Sequence, residues 1–300
     1  MVQELKSYKN FFLERYKKLG GHIEPISLPV CLRINTLRAS PKVLTPRLNS
    51  LGIVLEKIPF TKQGYCVKKT EFSLGAITEF LLGYYYLQEA AAQLPVEILD
   101  PKPGELVLDC CAAPGGKTTQ LAQAMKNQGV IVAYELKKHR MVSLFTNLER
   151  MGATNAVVFQ GDVENASTLG LEFDKILLDA PCAGNYATDP GWFEKRTFEG
   201  VKASARIQQR LLRIASGLLK QGGTLIYSTC SLEPEENELN MEWAVKELPL
   251  ELEPVKLKTG DPGLTNVFGR KLSPEIAFCR RFWPHKTKTQ GFFIARLRKC

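Results

Sequence analysis

Two cysteines follow apolar runs that read as β-strands: Cys182 ends KILLDAPC, and Cys230 stands in TLIYSTCS. A thiolate can add to an electron-poor ring carbon, and a second group must then help the adduct come apart. Upstream lies a glycine-rich turn, LDCCAAPGGKTT, at residues 108–119. A fold that binds a cofactor at such a turn and offers two thiols on the same rim predicts covalent chemistry on a flat ring.

The elements that must hold these groups are legible from periodicity. From residue 94 onward the pattern is strand, turn, helix, repeated. ELVLDC, VIVAYE, AVVFQGD, KILLDAP and TLIYSTC read as strands, with helices through TTQLAQAM, KKHRMVSLFTNLERMG and ARIQQRLLRIASGLLKQGG. Such alternation predicts a parallel sheet covered by helices on both faces, and runs this apolar suit strands buried on both sides. FFIARLRK is expected to add a final antiparallel strand.

Residues 28–90 read as a different, small α+β unit of the size used for RNA binding. LPVCLRI opens it as a strand. SPKVLTPRLNSLG follows as a helix, with Ser40 at its N-cap, Pro41 at its first position and Gly52 beyond its end. VLEKIPF and GYCVKK are further strands. GYYYLQEAAAQLPVEILD is expected to join the two units. The division expected is 1–93, an N-terminal helix plus the small module, and 94–300, the catalytic domain. The first helix is amphipathic and is read as plain packing.

In open α/β sheets ligands bind outside the carboxyl ends of the strands. Asp109, Glu135, Asp162, Asp179 and Cys230 all fall at such ends. Each acid alone is an ordinary cap or loop residue, so their joint placement carries the argument. AAPGGKTT lacks the first glycine of a phosphate-binding P-loop, Cys111 standing in its place. Cys111, Ala112, Ala113, Pro114, Gly115, Gly116 and Lys117 therefore form a turn that a ligand's backbone-facing edge can approach, without a phosphate cradle. Glu135 stands 26 residues after Asp109, near the spacing at which an acid meets ribose hydroxyls, and Asp162 can accept from an exocyclic amino group. A nucleoside without pyrophosphate fits, and S-adenosyl-L-methionine, whose sulfonium tolerates nearby acids, is the cofactor expected. No metal site is expected, because the chain has three histidines and no C-x-x-C pair.

DCCAAPGGKTTQLA, LLDAPCAG and YSTCSLEPEENE together resemble the motif set of the Nol/Nop/Sun-type RNA cytosine-5 methyltransferases, over roughly residues 30–300 in order. The resemblance implies an α/β, Rossmann-like class I methyltransferase domain with a mostly parallel seven-stranded sheet, beside a small RRM-like α+β RNA-binding domain. It implies that Cys230 attacks C6 of cytosine, that Cys182 assists release, and that Asp179 holds the ring edge while bordering the cofactor. Cys182 is the rival nucleophile, because DNA cytosine-5 methyltransferases use a P-C cysteine. Lys117 is open to a role toward cofactor, base or phosphate. Arg140 is a position the family uses for the cofactor, against the plainer reading of a surface cation. No histidine stands ready to ionise a thiol whose free pKa is ~8.5.

Charge points to the partner. The net charge of +9 is unevenly spread. Residues 1–93 carry 13 Lys/Arg against 7 Asp/Glu, residues 94–249 carry 16 against 20, and residues 250–300 carry 11 against 4. Basic flanks around a mildly acidic centre favour a phosphate polymer gripped at both ends. RNA is the expected partner, tRNA ahead of rRNA because the chain is compact. In FCRRFWPHKTKTQGFF, Trp283 and the Phe residues divide between stacking on bases and packing in the core. Packing is the reading for the Phe residues of GFFIARL, and Arg280, Arg281, His285, Lys286 and Lys288 are expected to face RNA. No apolar run approaches the ~20 residues of a membrane span, and a soluble, cytoplasmic monomer is expected. Two other readings are a non-catalytic RNA-binding or assembly factor on a methyltransferase fold, and a small-molecule methyltransferase, which would need no basic flanks.

Overall fold

The computed structural model describes residues 2–24 and 26–300, the side chains of residues 2–7 excepted. The chain opens with helix α1 (Val2–Lys18). A small antiparallel unit follows: β1 (Cys31–Ile34), α2 (Pro41–Ser50), β2 (Val54–Lys57), β3 (Gly64–Lys69), α3 (Thr78–Leu81) and β4 (Tyr85–Leu87). Its strands lie in the order β2-β3-β1-β4, the split β-α-β-β-α-β arrangement. Leu32, Ile34, Leu44, Leu48 and Tyr85 form its core. Ser40 takes the extended conformation that precedes a helix, but its side chain makes no capping bond.

The second part runs α4 (Leu94–Leu99), β5 (Leu106–Asp109), α5 (Gly116–Ala124), β6 (Val130–Glu135), α6 (Lys138–Met151), β7 (Ala156–Gln160) and β8 (Phe173–Asp179). It continues with α7 (Trp192–Lys195), α8 (Phe198–Leu218), β9 (Leu219–Thr229), α9 (Glu238–Glu247), β10 (Leu250–Glu253) and β11 (Asp261–Pro262). The hairpin β12 (Asn266–Val267) and β13 (Arg270–Lys271) stands apart, and β14 (Arg280–Phe282), α10 (Pro284–Thr287) and β15 (Phe292–Lys299) close the chain. The five expected parallel strands pair as β7-β6-β5-β8-β9, and β15 joins β9 antiparallel. The sheet holds nine strands rather than the expected seven: beyond β15 lie β14 and the two-residue β11, and β10 also pairs with β15. Strands of two to four residues without turn signals carry too little periodicity to be read in advance. The chain builds β5, β6 and β7 outward to one side, then crosses back to place β8 on the other. That reversal opens a crevice beyond the ends of β5 and β8.

Three features depart from the sequence reading. GYYYLQEAAAQLPVEILD does not merely join two units: Tyr85–Leu87 zips onto β1 as β4, and Leu94–Leu99 forms α4, buried against β8 and β9. Helix α1 belongs by packing to the larger part, where Phe12 meets Trp192 at 4.7 Å between ring centroids and Tyr16 meets Trp283 at 6.2 Å. In the C-terminal segment the rings of Phe282, Trp283, Phe292 and Phe293 are all buried, so the stacking role considered for Trp283 is overturned while core packing of the Phe residues holds. Arg281, expected to face RNA, is 1% exposed. Its Nε donates to Glu238 at 2.8 Å and Nη1 to the Leu232 carbonyl at 2.7 Å. A guanidinium that has found a carboxylate and a carbonyl can be buried without an orphaned donor. Lys286 and Lys288 are exposed, paired with Asp261 and Glu24.

The two parts interlock. Asn35 Nδ2 donates at 2.8 Å to the carbonyls of both Gly83 and Met151, and Arg33 Nη2 donates to Thr119 at 3.0 Å. Gly83 has φ +71°, and a Cβ there would stand 1.9 Å from the Arg150 carbonyl oxygen, so a side chain cannot be admitted at this joint. Among the described residues no helix is long and apolar enough to cross a membrane.

Candidate active site

Cys182 and Cys230 come from adjacent parallel strands, just beyond the ends of β8 and β9. Their Sγ atoms are 3.0 Å apart and both residues are partly exposed. The hydrogen bond from Cys182 lowers the pKa of Cys230, while burial and Asp179 oppose that shift and Lys117 reinforces it. The same bond, with burial, raises Cys182 well above its ordinary value. Of the two thiols, Cys230 is the one drawn toward the thiolate and Cys182 the one held protonated.

An ion pair lies beside the sulfurs. Lys117 Nζ donates to Asp179 Oδ2 at 2.7 Å, and Ser228 Oγ donates to Oδ1 at 2.7 Å. Burial pulls the Lys117 ammonium down, but Asp179 outweighs it with help from Cys230, leaving the lysine pKa raised and the group charged. Lys117 can take this place because the glycine turn launches α5 directly beneath it. Gly115 has φ +104°, and the missing side chain of Gly116 leaves room for the Tyr86 ring, 3.1 Å from where a Cβ would stand. The close approach that glycine permits at 116 is therefore to Tyr86 of β4.

Two cavities meet here. One, of about 130 Å³, is lined by Cys111, Glu135, Leu136, Arg140, Asp162 and Ile207 among others. The other, of about 250 Å³, is lined by Tyr86, Ala113, Lys117, Asp179 and Gln290, and again by Cys111. Ala112, Pro114 and Gly116 border the second cavity too, whereas Gly115 borders neither. Glu135 is 3% exposed. It accepts from the backbone N–H groups of Ala113 at 3.2 Å and Lys137 at 2.8 Å, and Arg140 approaches it at 3.4 Å. Arg140 also donates to the Ala113 carbonyl, so it braces the turn. Asp162 caps the short helical turn that follows β7, accepting from Glu164 N–H at 3.0 Å and from Arg210 at 2.6 Å. Burial lifts Asp109 to about 6, and its Oδ2 accepts from Thr118 at 2.8 Å beneath the turn.

Several residues at this site carry no signal that sequence reasoning used. Asn185 Nδ2 donates to the Cys230 carbonyl at 2.6 Å and the Gly291 carbonyl at 3.1 Å. The acids of SLEPEENE, quoted above only as part of a motif, divide among Arg15, Arg281 and neutral donors. Glu233 and Glu235 pair with Arg15 of α1 at 2.9 and 2.6 Å, Glu238 pairs with Arg281, and Glu236 accepts from neutral donors. Arg15 lies 218 residues from Glu233 in the chain, and no local pattern announces such a pairing.

Comparison with known proteins gives two family matches. A model described as 16S rRNA methyltransferase RsmB/F matches residues 96–298, and one described as the N-terminal domain of 16S rRNA methyltransferase RsmF matches residues 5–90. The chain is 38% identical to the tRNA (cytosine(49)-C(5))-methyltransferase of Pyrococcus abyssi, over 99% of this chain and 98% of that protein. It is 36% identical to the 28S rRNA (cytosine-C(5))-methyltransferase of Mus musculus, over 98% of this chain but only 39% of the mouse protein. Among solved structures, a methyltransferase homolog protein from Pyrococcus horikoshii superposes with a TM-score of 0.85 at 46% identity, covering 91% of this chain and 87% of the other. NSun6 from Pyrococcus horikoshii with SFG gives a TM-score of 0.82 at 28% identity, covering 98% of this chain and 97% of the other.

Proposed function

Because the chain belongs to the 16S rRNA methyltransferase RsmB/F family, we propose that it methylates C5 of cytosine in RNA, tRNA first, through a covalent bond between Cys230 and C6 of the base. The observation that carries this reading is the pair of sulfurs 3.0 Å apart beside the Lys117–Asp179 ion pair. The tRNA preference is supported by the relative matched along 98% of its own length, an enzyme of tRNA.

S-adenosyl-L-methionine supplies a methyl group on a sulfonium. The smaller cavity suits it: Glu135 stands where ribose hydroxyls would be bound, Asp162 can accept from the adenine amino group, and Leu136 and Ile207 offer apolar walls. In that lining Arg140 and Arg210 are paired with Glu135 and Asp162, which keeps both carboxylates in place at the cavity wall. SFG, an analogue of this cofactor, in a structure of the same fold supports the assignment.

The larger cavity receives the cytosine, which must leave any stack to enter. Asp179 accepts from the N4 amino group at the ring edge, and the Lys117 ammonium beside it offsets the negative charge that develops on the ring as sulfur adds. Lys117 holds Asp179 in place and favours the Cys230 thiolate. Addition of that thiolate to C6 makes C5 nucleophilic toward the methyl group. After transfer the C5 proton passes to water and Cys230 leaves as thiolate, restoring the C5–C6 double bond. Cys182 stabilises the departing sulfur with the hydrogen bond it makes in the free enzyme. Residues 1–93 serve as the RNA-binding part and 94–300 as the catalytic domain. The basic charge of the first part and the position of Tyr86 at the mouth of the base cavity support this division.

The test is methylation of unmodified tRNA and rRNA transcripts with S-adenosyl-L-methionine, read by bisulfite sequencing. The proposal expects one or a few protected cytosines in tRNA. Protection in rRNA alone overturns the tRNA preference, and protection in neither, by protein that the cofactor stabilises thermally, overturns the activity.

A further inference from the structure

Glu236 lies six residues after Cys230 and is completely buried. Its carboxylate accepts from the Ala183 backbone N–H at 3.0 Å, from Ser231 Oγ at 2.6 Å and from Gln208 Nε2 at 2.7 Å. Ala183 directly follows Cys182, and Ser231 directly follows Cys230. One carboxylate therefore spans the two loops that carry the sulfurs. The third donor strengthens the tie. Gln208 Nε2 also donates to the carbonyl of Pro181, the residue before Cys182, at 2.9 Å. The orientation of that amide is fixed from its other end, since Asn240 Nδ2 donates to Gln208 Oε1 at 2.9 Å.

The neighbouring acids make the contrast. Glu233 is neutralised by Arg15, and Glu238 by Arg281. Among the described residues no cation pairs with Glu236. A carboxylate buried without a countercharge is costly, which burial's push of its pKa up to about 7 expresses. Three donors converging on two oxygens repay part of that cost only if the loops stand where they do. Glu236 is completely buried, and its side chain accepts only from Ala183, Ser231 and Gln208, so it acts through the loops it ties.

We propose that Glu236 is a positioning residue that holds the Cys182 and Cys230 loops in register and so sets the separation of the two sulfurs during RNA methylation. The inference rests on the two-thiol reading above. Displacement of a reacting group by ~1 Å can cost about a hundredfold in rate. Of the residues in the tie, Pro181 borders the cavity assigned to the cofactor, and Glu236, Gln208, Ser231 and Ala183 border neither cavity.

The experiment compares wild type, Glu236→Gln and Ser231→Ala in kcat, KM for RNA, cofactor affinity, melting temperature and covalent trapping by 5-fluorocytidine RNA. Glu236→Gln keeps the shape but replaces one accepting oxygen by N–H₂, which removes the charge and sets a donor against the donors on that side. It is expected to lower kcat about ten- to a hundredfold and slow trapping in parallel, with KM and cofactor affinity within about twofold. Ser231→Ala cuts the leg beside Cys230, together with the bond its Oγ accepts from the Glu233 backbone N–H at 3.1 Å, and is expected to lower kcat about three- to tenfold with KM and cofactor affinity within about twofold. A Glu236→Gln protein that binds cofactor and turns over at the wild-type rate overturns the inference, as does a loss expressed in KM alone. Should Glu236→Gln fail to fold, wild-type kcat in Ser231→Ala overturns it. If wild type itself forms no adduct, the two-thiol reading fails first and independently.

Discussion

Cys31 and Cys66 face each other across β1 and β3, with Sγ atoms 3.0 Å apart, the same separation as between Cys182 and Cys230. In each pair one thiol donates to the other, so Cys31 and Cys182 are pushed up while Cys66 and Cys230 are drawn down. The surroundings differ. Cys66 lies within β3, and the cation that helps it, Lys68, is 55% exposed and spends its charge on Glu56. Cys230 lies beyond the end of its strand, and its cation, Lys117, is 15% exposed and fixed by Asp179 at a cavity wall. Two close sulfurs and a lowered pKa therefore do not make a site. What separates the pair proposed as catalytic from the pair within the small sheet is a cation held at a cavity wall.

That comparison is open to direct attack. Cys230→Ala should abolish methyl transfer, by at least about a thousandfold as for loss of a covalent nucleophile. Cys66→Ala should stay within about twofold of wild type in the same assay. Equal losses would show that the surroundings do not distinguish the pairs. Next in size, Cys182→Ala should lower turnover by about a hundredfold while a covalent RNA–protein band builds up on denaturing gels. Cys31→Ala should produce no such band.

Smaller and more diagnostic is the pH dependence of alkylation. The hydrogen bond from Cys182, reinforced by Lys117, lowers the pKa of Cys230 and places its reaction with iodoacetamide at lower pH than that of a free thiol. Lys117→Met removes the cation and leaves Asp179 uncompensated, and both changes raise the thiol pKa. The alkylation profile of Cys230 should then move to higher pH. Lys68→Met, which removes a water-screened charge, should move the Cys66 profile much less. A profile for Cys230 that ignores Lys117 would assign the thiolate wholly to Cys182.

Much of this site could be read along the chain because its residues sit where strands end. Asp179, Cys182 and Cys230 each follow an apolar run long enough to be recognised, and the glycine turn marks the start of α5. The five parallel strands were legible for the same reason. What escaped was set by distant partners. Arg281 sits in a basic, aromatic stretch that reads as surface, and only the folded chain brings Glu238 to it. The three residues of β4 are too few to show a period. Glu236 is one acid among four in SLEPEENE, and its partners lie on the loop after β8 and on α8.

Trapping with RNA carrying 5-fluorocytosine tests the central claim most directly, because fluorine at C5 blocks the final elimination and freezes the enzyme on its substrate. Digestion and mass spectrometry of the trapped complex should find the base on the sulfur of Cys230. A nucleotide attached to Cys182, or full methyl transfer to ordinary RNA with no trapped species at all, would contradict the account.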